Sequence, residues 1–443
     1  MNINSLTSQN LNNISFPNDN TNIKSSLKSD SAKTEQNVNA EIGDSVSLGQ
    51  DNKNEIDNKK WTVLHYGAGD NDLYGHILSD VREEMQAVGS NEKINIVSML
   101  DCFHEGCTTY YVTKSDGSDE YSKFSSPVVV PKQENVDMSN SKVLSDFISW
   151  GIKNYPSDHV MVVISSHGGG SIGAIADHDN GVRGEDYSFD YNMMTPQDMS
   201  KAFQEAEAVT GKKIDILGFD ACLMANTEST YELRNSANYI VASEETEGGE
   251  GWGYKKMLNH LSNGNMKPES FAKDIVKSFA IPKYQADLKT LSAIDTSKMN
   301  QIANTVDEFS KAILEQKQSA DTLKHLNSLR ADTQSFLNES IDLHDFCEKI
   351  SNDPKFKDSK LQETAKKVMS AVNEAIIANQ SYSKTENPKG MLKYSNDDYS
   401  NAHGLQIESS KDNIGKNYKS LQFSKDTHWD EALALLNNKK YTV

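Results

Sequence analysis

The sequence predicts an α/β protein: a mostly parallel sheet with helices on both faces, followed by a mainly helical C-terminal region packed on it. Two observations carry this prediction. Val160-Met-Val-Val-Ile164 and Ile214-Asp-Ile-Leu-Gly-Phe219 are apolar runs of the kind that suits parallel strands buried on both faces. Around them lie segments with apolar residues at helical spacing, so strand, helix and strand repeat as in parallel crossover units. Both runs stop abruptly at a reactive side chain, His167 and Cys222. Open parallel sheets bind ligands at the carboxyl ends of their strands, which is where both residues fall.

In chain order, residues 1–58 are rich in Asn, Ser, Asp and Lys and short of aromatics, so they read as a disordered polar leader. They show no basic segment followed by an apolar core of about 7–15 residues, the mark of a cleaved secretory signal. The ordered domain is expected over 59–443, with a core over about 59–260 and a mainly helical part over about 261–443. Trp61–Tyr66 is a strand that runs into the turn Gly67–Asp72. Leu73, Ile77, Val81, Met85 and Val88 then mark one face of a helix stopped by Gly89. Lys93–Leu100 is a second buried strand, and Cys107–Thr113 a hairpin arm before Asp116-Gly117. Ser141 is placed as the cap of a helix carrying Val143, Leu144, Phe147 and Ile148, with Pro156 beyond its end.

The strand ending at His167 follows, then a glycine-rich acidic loop from Gly168 to about Tyr191. Thr195-Pro196 opens the next helix with a hydroxyl cap and a first-turn proline, and Gly211 closes it. After the strand ending near Cys222, Leu223–Leu233 reads as a helix and Tyr239–Ser243 as a strand. Met299, Ile302, Val306, Phe309 and Ile313 form one helical stripe, and Leu361, Val368, Val372 and Ile376 another. Leu405-Gln-Ile407 is a late strand and Trp429–Leu436 a closing helix.

Composition narrows the function. The net charge of −19 argues against a broad phosphate-binding face, and no Lys/Arg stripe interleaves with aromatics, so nucleic acid is not expected as a partner. Four scattered cysteines suit reduced thiols better than a disulfide scaffold. No apolar stretch approaches the roughly 20 residues of a membrane span.

A cysteine attacks as thiolate, and a histidine within reach can take its proton and later deliver it to a leaving amine. His167 and Cys222 at neighbouring strand ends fit that chemistry. Cys222 at the start of a helix would have its thiolate favoured by the helix dipole. Gly168, lacking a Cβ, would let its amide approach a substrate carbonyl. Other chemistries fit less well. Gly169-Gly-Ser171-Ile-Gly173 matches G-x-S-x-G, but no helix pattern follows to make a nucleophile elbow. Cys102-Phe-His104-Glu-Gly-Cys107 offers three zinc-type ligands without a second pair, and reads as a strand-end loop with reduced thiols. Asp177-His-Asp179-Asn-Gly181 hints at a calcium loop, but Ser188 stands where an EF-hand needs glutamate.

His167-Gly-Gly-Gly170, Gly218-Phe-Asp-Ala-Cys222-Leu-Met-Ala and Ser243-Glu-Glu-Thr246 leading to Gly249-Glu-Gly-Trp252 together resemble the clostripain family of cysteine peptidases. Leu291–Asp295, Asp342–Phe346, His403–Ile407 and Phe423–Trp429 extend the resemblance from about Trp61 to the C-terminus. The sequence departs from the family pattern in its polar leader, and in a glycine before Gly249-Glu-Gly-Trp252 where members similar to clostripain often have proline.

The resemblance implies a caspase-like αβα sandwich and an endopeptidase that cleaves after Arg or Lys through a thioester. It makes His167 and Cys222 the catalytic pair and gives the Gly168 and Cys222 amides the oxyanion. Asp220 is expected on the Cys222 face of its strand, and Glu250 and Trp252 in the substrate pocket. Arg183-Gly184 is a candidate self-processing bond. No cofactor is required for this chemistry, with calcium held open because clostripain-like enzymes are associated with it. The expected partners are protein or peptide substrates with basic residues, and the expected location is outside the cell by a route without a cleaved signal, or else the cytoplasm. An inactive peptidase-like binding module and a transpeptidase using the same pair are the alternatives.

Overall fold

The computed structural model describes residues 15–17, 58–102, 105–119, 124–177, 193–249, 251–264, 266–279, 289–382, 398–410 and 416–438. Its centre is a nine-stranded sheet in the order β10-β8-β7-β6-β5-β1-β2-β3-β4. The strands are β1 (Lys59–Gly69), β2 (Ile94–Cys102), β3 (Gly106–Tyr111), β4 (Val128–Gln133), β5 (Ser157–Ser165), β6 (Ile214–Asp220), β7 (Ala237–Ala242), β8 (Thr290–Asp295) and β10 (Ile376–Ser381). β2, β1, β5, β6 and β7 pair in parallel, whereas β3 and β4 at one edge and β8 and β10 at the other run antiparallel. β9 (Ile341–Asp342) and β11 (Gln406–Ile407) form a separate short pair.

The central strands bury both faces, and their side chains divide between two cores. Val160, Val162 and Ile164 of β5, with Leu217 and Phe219 of β6, face the Ser141–Asn154 and Pro196–Thr210 helices and much of the C-terminal region. Met161 and Val163, with Ile216, face the Tyr254–Asn263 and Pro268–Phe279 helices and the helical segment after β1. Alternate residues of a strand point to opposite faces, so an unbroken apolar run needs a helical layer on each side. The result is the expected αβα sandwich.

Several elements differ from the sequence expectation in detail. The segment after β1 is α-helical over Tyr74–Ser79, π-helical over Asp80–Met85 and α-helical again over Gln86–Val88, ending at Gly89 with φ 69°. Residues four apart drift by about 40° per step on an α-helix. The wider π turn counters that drift and keeps Ile77, Val81 and Met85 on the buried face. Asn140, and not Ser141, caps the Ser141–Asn154 helix, its side chain accepting the Lys142 amide. The Lys360–Ala375 helix stops before Ile376, which starts β10. Ile376 continued the apolar stripe, so helical spacing alone could not mark that switch. The C-terminal part also contributes β8 and β10 to the central sheet, more than the helical cover expected of it.

Within the leader expected to be disordered, residues 15–17 are described. The Phe16 ring stacks on Trp150 at 5.3 Å between centroids, and the Ser15 amide donates to Gln133. A single aromatic residue therefore docks a point of the leader on the core. No described helix is long and apolar enough to cross a membrane.

Candidate active site

The β5–β6 ladder sets the geometry. Pairing runs in parallel from Met161↔Ile216 to Ser165↔Asp220, and the Ser166 amide reaches the Asp220 carbonyl at 3.4 Å. His167 and Cys222 each lie two residues beyond the last pair, so the register holds them level. Gly168 sits so close to the Cys222 turn that an added Cβ would lie 2.2 Å from the Cys222 carbonyl oxygen. Only glycine fits there. The bonds that fold back the following turn run from the Ile175 amide to the His167 carbonyl and from the Gly169 amide to the Gly173 carbonyl, on either side of the Gly168 amide. Ser171 is buried in a single 3-10 turn and donates to Glu408, so the G-x-S-x-G match is not a nucleophile elbow.

His167 has a partner that sequence reasoning did not find. Its Nε2 lies 2.7 Å from Oδ1 of Asp72, at the carboxyl end of the neighbouring strand β1. Asn71 fixes that loop: its buried side chain donates to the carbonyls of Ala68 and Ala176 and accepts the Leu73 amide. Because the Ile175 amide bonds to the His167 carbonyl, one small network orients both the histidine and the loop that carries Asp72. A carboxylate on one ring nitrogen fixes the tautomer and stabilises the imidazolium. The visible signal was the polar turn Gly69-Asp-Asn-Asp72 at a strand end beside the histidine strand.

Cys222 overturns one expectation. The next helix is Thr227–Glu232, capped by the Asn226 side chain, so Cys222 stands in a turn and not at a helix N-terminus. Leu223 there takes φ 68°, and its amide and that of Ala225 bond to the carbonyls of Glu245 and Ser243 at the end of β7. Burial pushes the Cys222 thiol up. The Glu247 amide and Lys289 oppose that, and Glu245 and Asp220 reinforce it. The Glu247 amide donates to Sγ at 3.4 Å. The resting thiol is protonated near neutral pH and needs a base to become a nucleophile.

Close to Cys222 lies a buried cluster of carboxylates. Asp220 accepts a 2.7 Å hydrogen bond from the Tyr254 hydroxyl and another from the Trp252 amide, and it hydrogen-bonds with Glu247. Burial and the neighbouring Asp220 charge push Glu247 well above the usual carboxylate range, and burial raises Asp220 too. Two carboxyl groups that hydrogen-bond to each other share one proton between them. Trp252 is buried, packs against Gly218 of β6, and donates Nε1 to Glu247 at 3.2 Å, so it supports the pair from behind. A Cβ on Gly251 would fall within 3.0 Å of carboxylate oxygens of both Asp220 and Asp80. Asp80 comes from the π turn after β1 and adds a third carboxylate. Glu247, Asp80 and Tyr254 were missed because only the fold brings them to Asp220. Glu250 and the Arg183-Gly184 bond lie outside the described residues.

The remaining ligand-like motifs take structural places. Cys102 and Cys107 are buried on paired strands, where burial pushes Cys102 up to about 12 and Cys107 well above the usual thiol range. The two thiols face different cores, Cys107 one and Cys102 the other, so they do not converge as a ligand pair. His104 and residues 178–181 lie outside the described residues. Asp177 is buried and accepts the Met138 amide at 2.6 Å.

The sequence profile of the clostripain family matches residues 65–435, from β1 to the last helix. The chain belongs to the clostripain family. It is 22% identical over 400 residues to clostripain of Hathewaya histolytica, covering 78% of this chain and 75% of that protein. An inactive zymogen C11 protease from Parabacteroides distasonis superposes with a TM-score of 0.60 at 20% identity, over 84% of this chain and 98% of that one. A secreted C11 cysteine protease from Bacteroides thetaiotaomicron, solved with an irreversible peptide inhibitor, superposes with a TM-score of 0.59 at 19% identity, over 84% and 99%. These structures share the caspase-like sandwich, and membership of the clostripain family makes the chain a cysteine peptidase.

With His167 expected as the base, the Asp72–His167 contact has a testable consequence. Asp72 is well exposed, so solvent screens the pair and the effect is moderate. Asp72→Ala is expected to lower kcat by about tenfold with KM unchanged, because orientation of the ring matters in the transition state and not in substrate binding. Asp72→Asn, which keeps an acceptor for the ring N–H, is expected to recover most of that loss. Steady-state kinetics on any good peptide substrate checks both, and an unchanged kcat in Asp72→Ala would remove the role.

Proposed function

We propose that this clostripain-family peptidase is an endopeptidase that cleaves peptide chains after Arg or Lys, with Cys222 as nucleophile and His167 as general base and acid. The observation that carries the reading is the β5–β6 register, which sets His167 and Cys222 level above the Asp220–Glu247 pair. With Nε2 held by Asp72, the proton of the Cys222 thiol passes to Nδ1 of His167 as sulfur attacks the substrate carbonyl carbon. The Gly168 and Cys222 amides face the oxyanion that forms. Collapse to the thioester breaks the peptide bond, and His167 gives its proton to the departing amine. Water, losing a proton to His167, then releases the acid and restores the thiol. None of these steps calls on a metal ion. The secreted relative from Bacteroides thetaiotaomicron supports reading the chain as an exported enzyme.

Specificity follows from the carboxylates. A guanidinium or ammonium entering beside Asp220, Glu247 and Asp80 exchanges water for charge-assisted bonds. Fluorogenic peptides ending in Arg, Lys, Leu and Asp, compared on wild type and Asp220→Asn, test this. Removing one partner of a buried charge pair costs about 3–5 kcal/mol, so kcat/KM for the basic substrates should fall by about two orders of magnitude or more. A wild-type preference for Leu or Asp would refute the acidic pocket.

The shared proton adds a pH signature. Glu247 is raised above its ordinary range in the free enzyme, so the pocket gains a second negative charge only as pH rises through that raised value. A cationic side chain favours the doubly charged pocket and displaces the proton. The ratio of kcat/KM for Arg to that for Leu should therefore climb with pH, while the ionisation of Cys222 cancels from the ratio. Glu247→Gln is expected to flatten the climb, and a ratio independent of pH in wild type would contradict the shared proton.

Self-processing at Arg183-Gly184 fits the same specificity, and a solved relative is described as a zymogen. Aged wild-type protein should show a new N-terminus at Gly184 that Cys222→Ala lacks. N-terminal sequencing checks this, and a wild-type chain that stays whole would exclude it.

A further inference from the structure

Away from the peptidase site, one cluster has the composition and spacing of a metal centre. His344 and Glu348 stand four residues apart on the Leu343–Asn352 helix and so share a face. His403 approaches from the segment before β11. One ligand atom from each of the three lies within 4.8 Å of the others.

Two features go beyond proximity. Asp342, fully buried at the cap of that helix, lies 3.1 Å from His403 Nδ1 and accepts the His403 main-chain amide at 2.6 Å. That leaves Nε2 as the nitrogen His403 presents, and a carboxylate behind an imidazole is a recurrent support of metal-ligating histidines. The His344 ring, 7% exposed and stacked 4.2 Å from that of His403, has a buried Nδ1 with no hydrogen-bond partner, while its Nε2 meets Asn373 at 3.3 Å. An unpartnered buried polar atom costs about 1–3 kcal/mol, and a bound metal ion is one partner that would relieve that cost. Two imidazoles and one carboxylate suit zinc, whereas calcium prefers six to eight oxygen ligands.

We propose that His344, Glu348 and His403 bind one zinc ion, with water completing its coordination. The ion clips the Leu343–Asn352 helix to the His403–Ile407 segment. That segment buttresses the nucleophile turn: the Gly404 amide bonds to Glu244, the Gln406 side chain to the Leu223 carbonyl, and the Gln406 amide to the Ala225 carbonyl. The bound metal therefore stiffens the support on which Cys222 stands, whatever residue the enzyme prefers before the scissile bond.

The test uses the full chain carrying Cys222→Ala, so that the Cys222 thiolate and His167 cannot capture the metal. Zinc chloride is titrated calorimetrically, and cobalt chloride by its visible absorption. The expected result is one equivalent bound at micromolar or tighter Kd, with an apparent folding equilibrium about 100-fold more favourable at a free zinc concentration of 100 Kd. His344→Ala should weaken zinc binding by about a hundredfold. Glu348 is half-buried, so Glu348→Gln leaves folding intact and decides the matter if His344→Ala does not fold; it should weaken binding by at least tenfold. Absence of saturable binding, or binding that Glu348→Gln leaves unchanged, overturns the proposal.

Discussion

Everything at the site depends on where the β5–β6 ladder stops. The two strands pair as far as Ser165 and Asp220, then both chains leave the sheet, and the next two residues on each side bring His167 and Cys222 to the same height. A one-residue slip would turn one of them to the opposite face of the sheet. The register is fixed because β5 and β6 divide their side chains between two apolar cores, so a one-residue slip would exchange the core faced by every residue along the strand. The same pairing leaves no room for a side chain at Gly168, which is pressed against the Cys222 carbonyl.

The second constraint is that the turns above the sheet are supported by buried polar groups. Glu408 accepts the amides of Ser409 and Ser410 and the Ser171 hydroxyl, tying the turn after His167 to the C-terminal region. Glu228 accepts the Tyr418 hydroxyl and the Glu408 amide, and burial followed by the Glu408 charge pushes it up to about 7. Gln406 and Glu244 hold the Cys222 turn and the end of β7 by further buried hydrogen bonds. Buried carboxylates are tolerated only when hydrogen-bonded or protonated, and both devices appear here. This is why residues beyond 400, far along the chain from Cys222, belong to the peptidase unit.

The sheet, and the placing of His167 and Cys222 at neighbouring strand ends, were legible because each rests on local patterns: apolar runs in β5 and β6 that end near His167 and Cys222, and helix boundaries at Thr195 and Gly211. Strand alternation pointed to Asp220, and family motifs added Glu250 and the expectation of an acidic contact for substrate. The rest depends on long-range assembly that no short pattern carries. Asp72 meets His167 only because β1 lies beside β5 in the sheet, although they are separated by β2, β3, β4 and two helical segments in sequence. Glu247, from the segment after β7, hydrogen-bonds Asp220, and Asp80, from the π turn after β1, flanks Gly251 together with it. The helix expected to start at Cys222 fails because Leu223 turns into the left-handed region and the chain stays non-helical until Thr227. Its apolar residues Leu223, Met224 and Ala225 mimic a helical face while serving as a buried turn.

The most direct test is whether His167 and Cys222 act as one unit. Turnover of a fluorogenic peptide ending in Arg is measured for wild type, His167→Ala, Cys222→Ala and the double variant, with circular dichroism confirming that each is folded. Residues that work as a unit are non-additive, so each single change should lower kcat by about three orders of magnitude or more and the double variant should be little worse than either. Activity retained in His167→Ala, or losses that multiply in the double variant, would contradict the dyad.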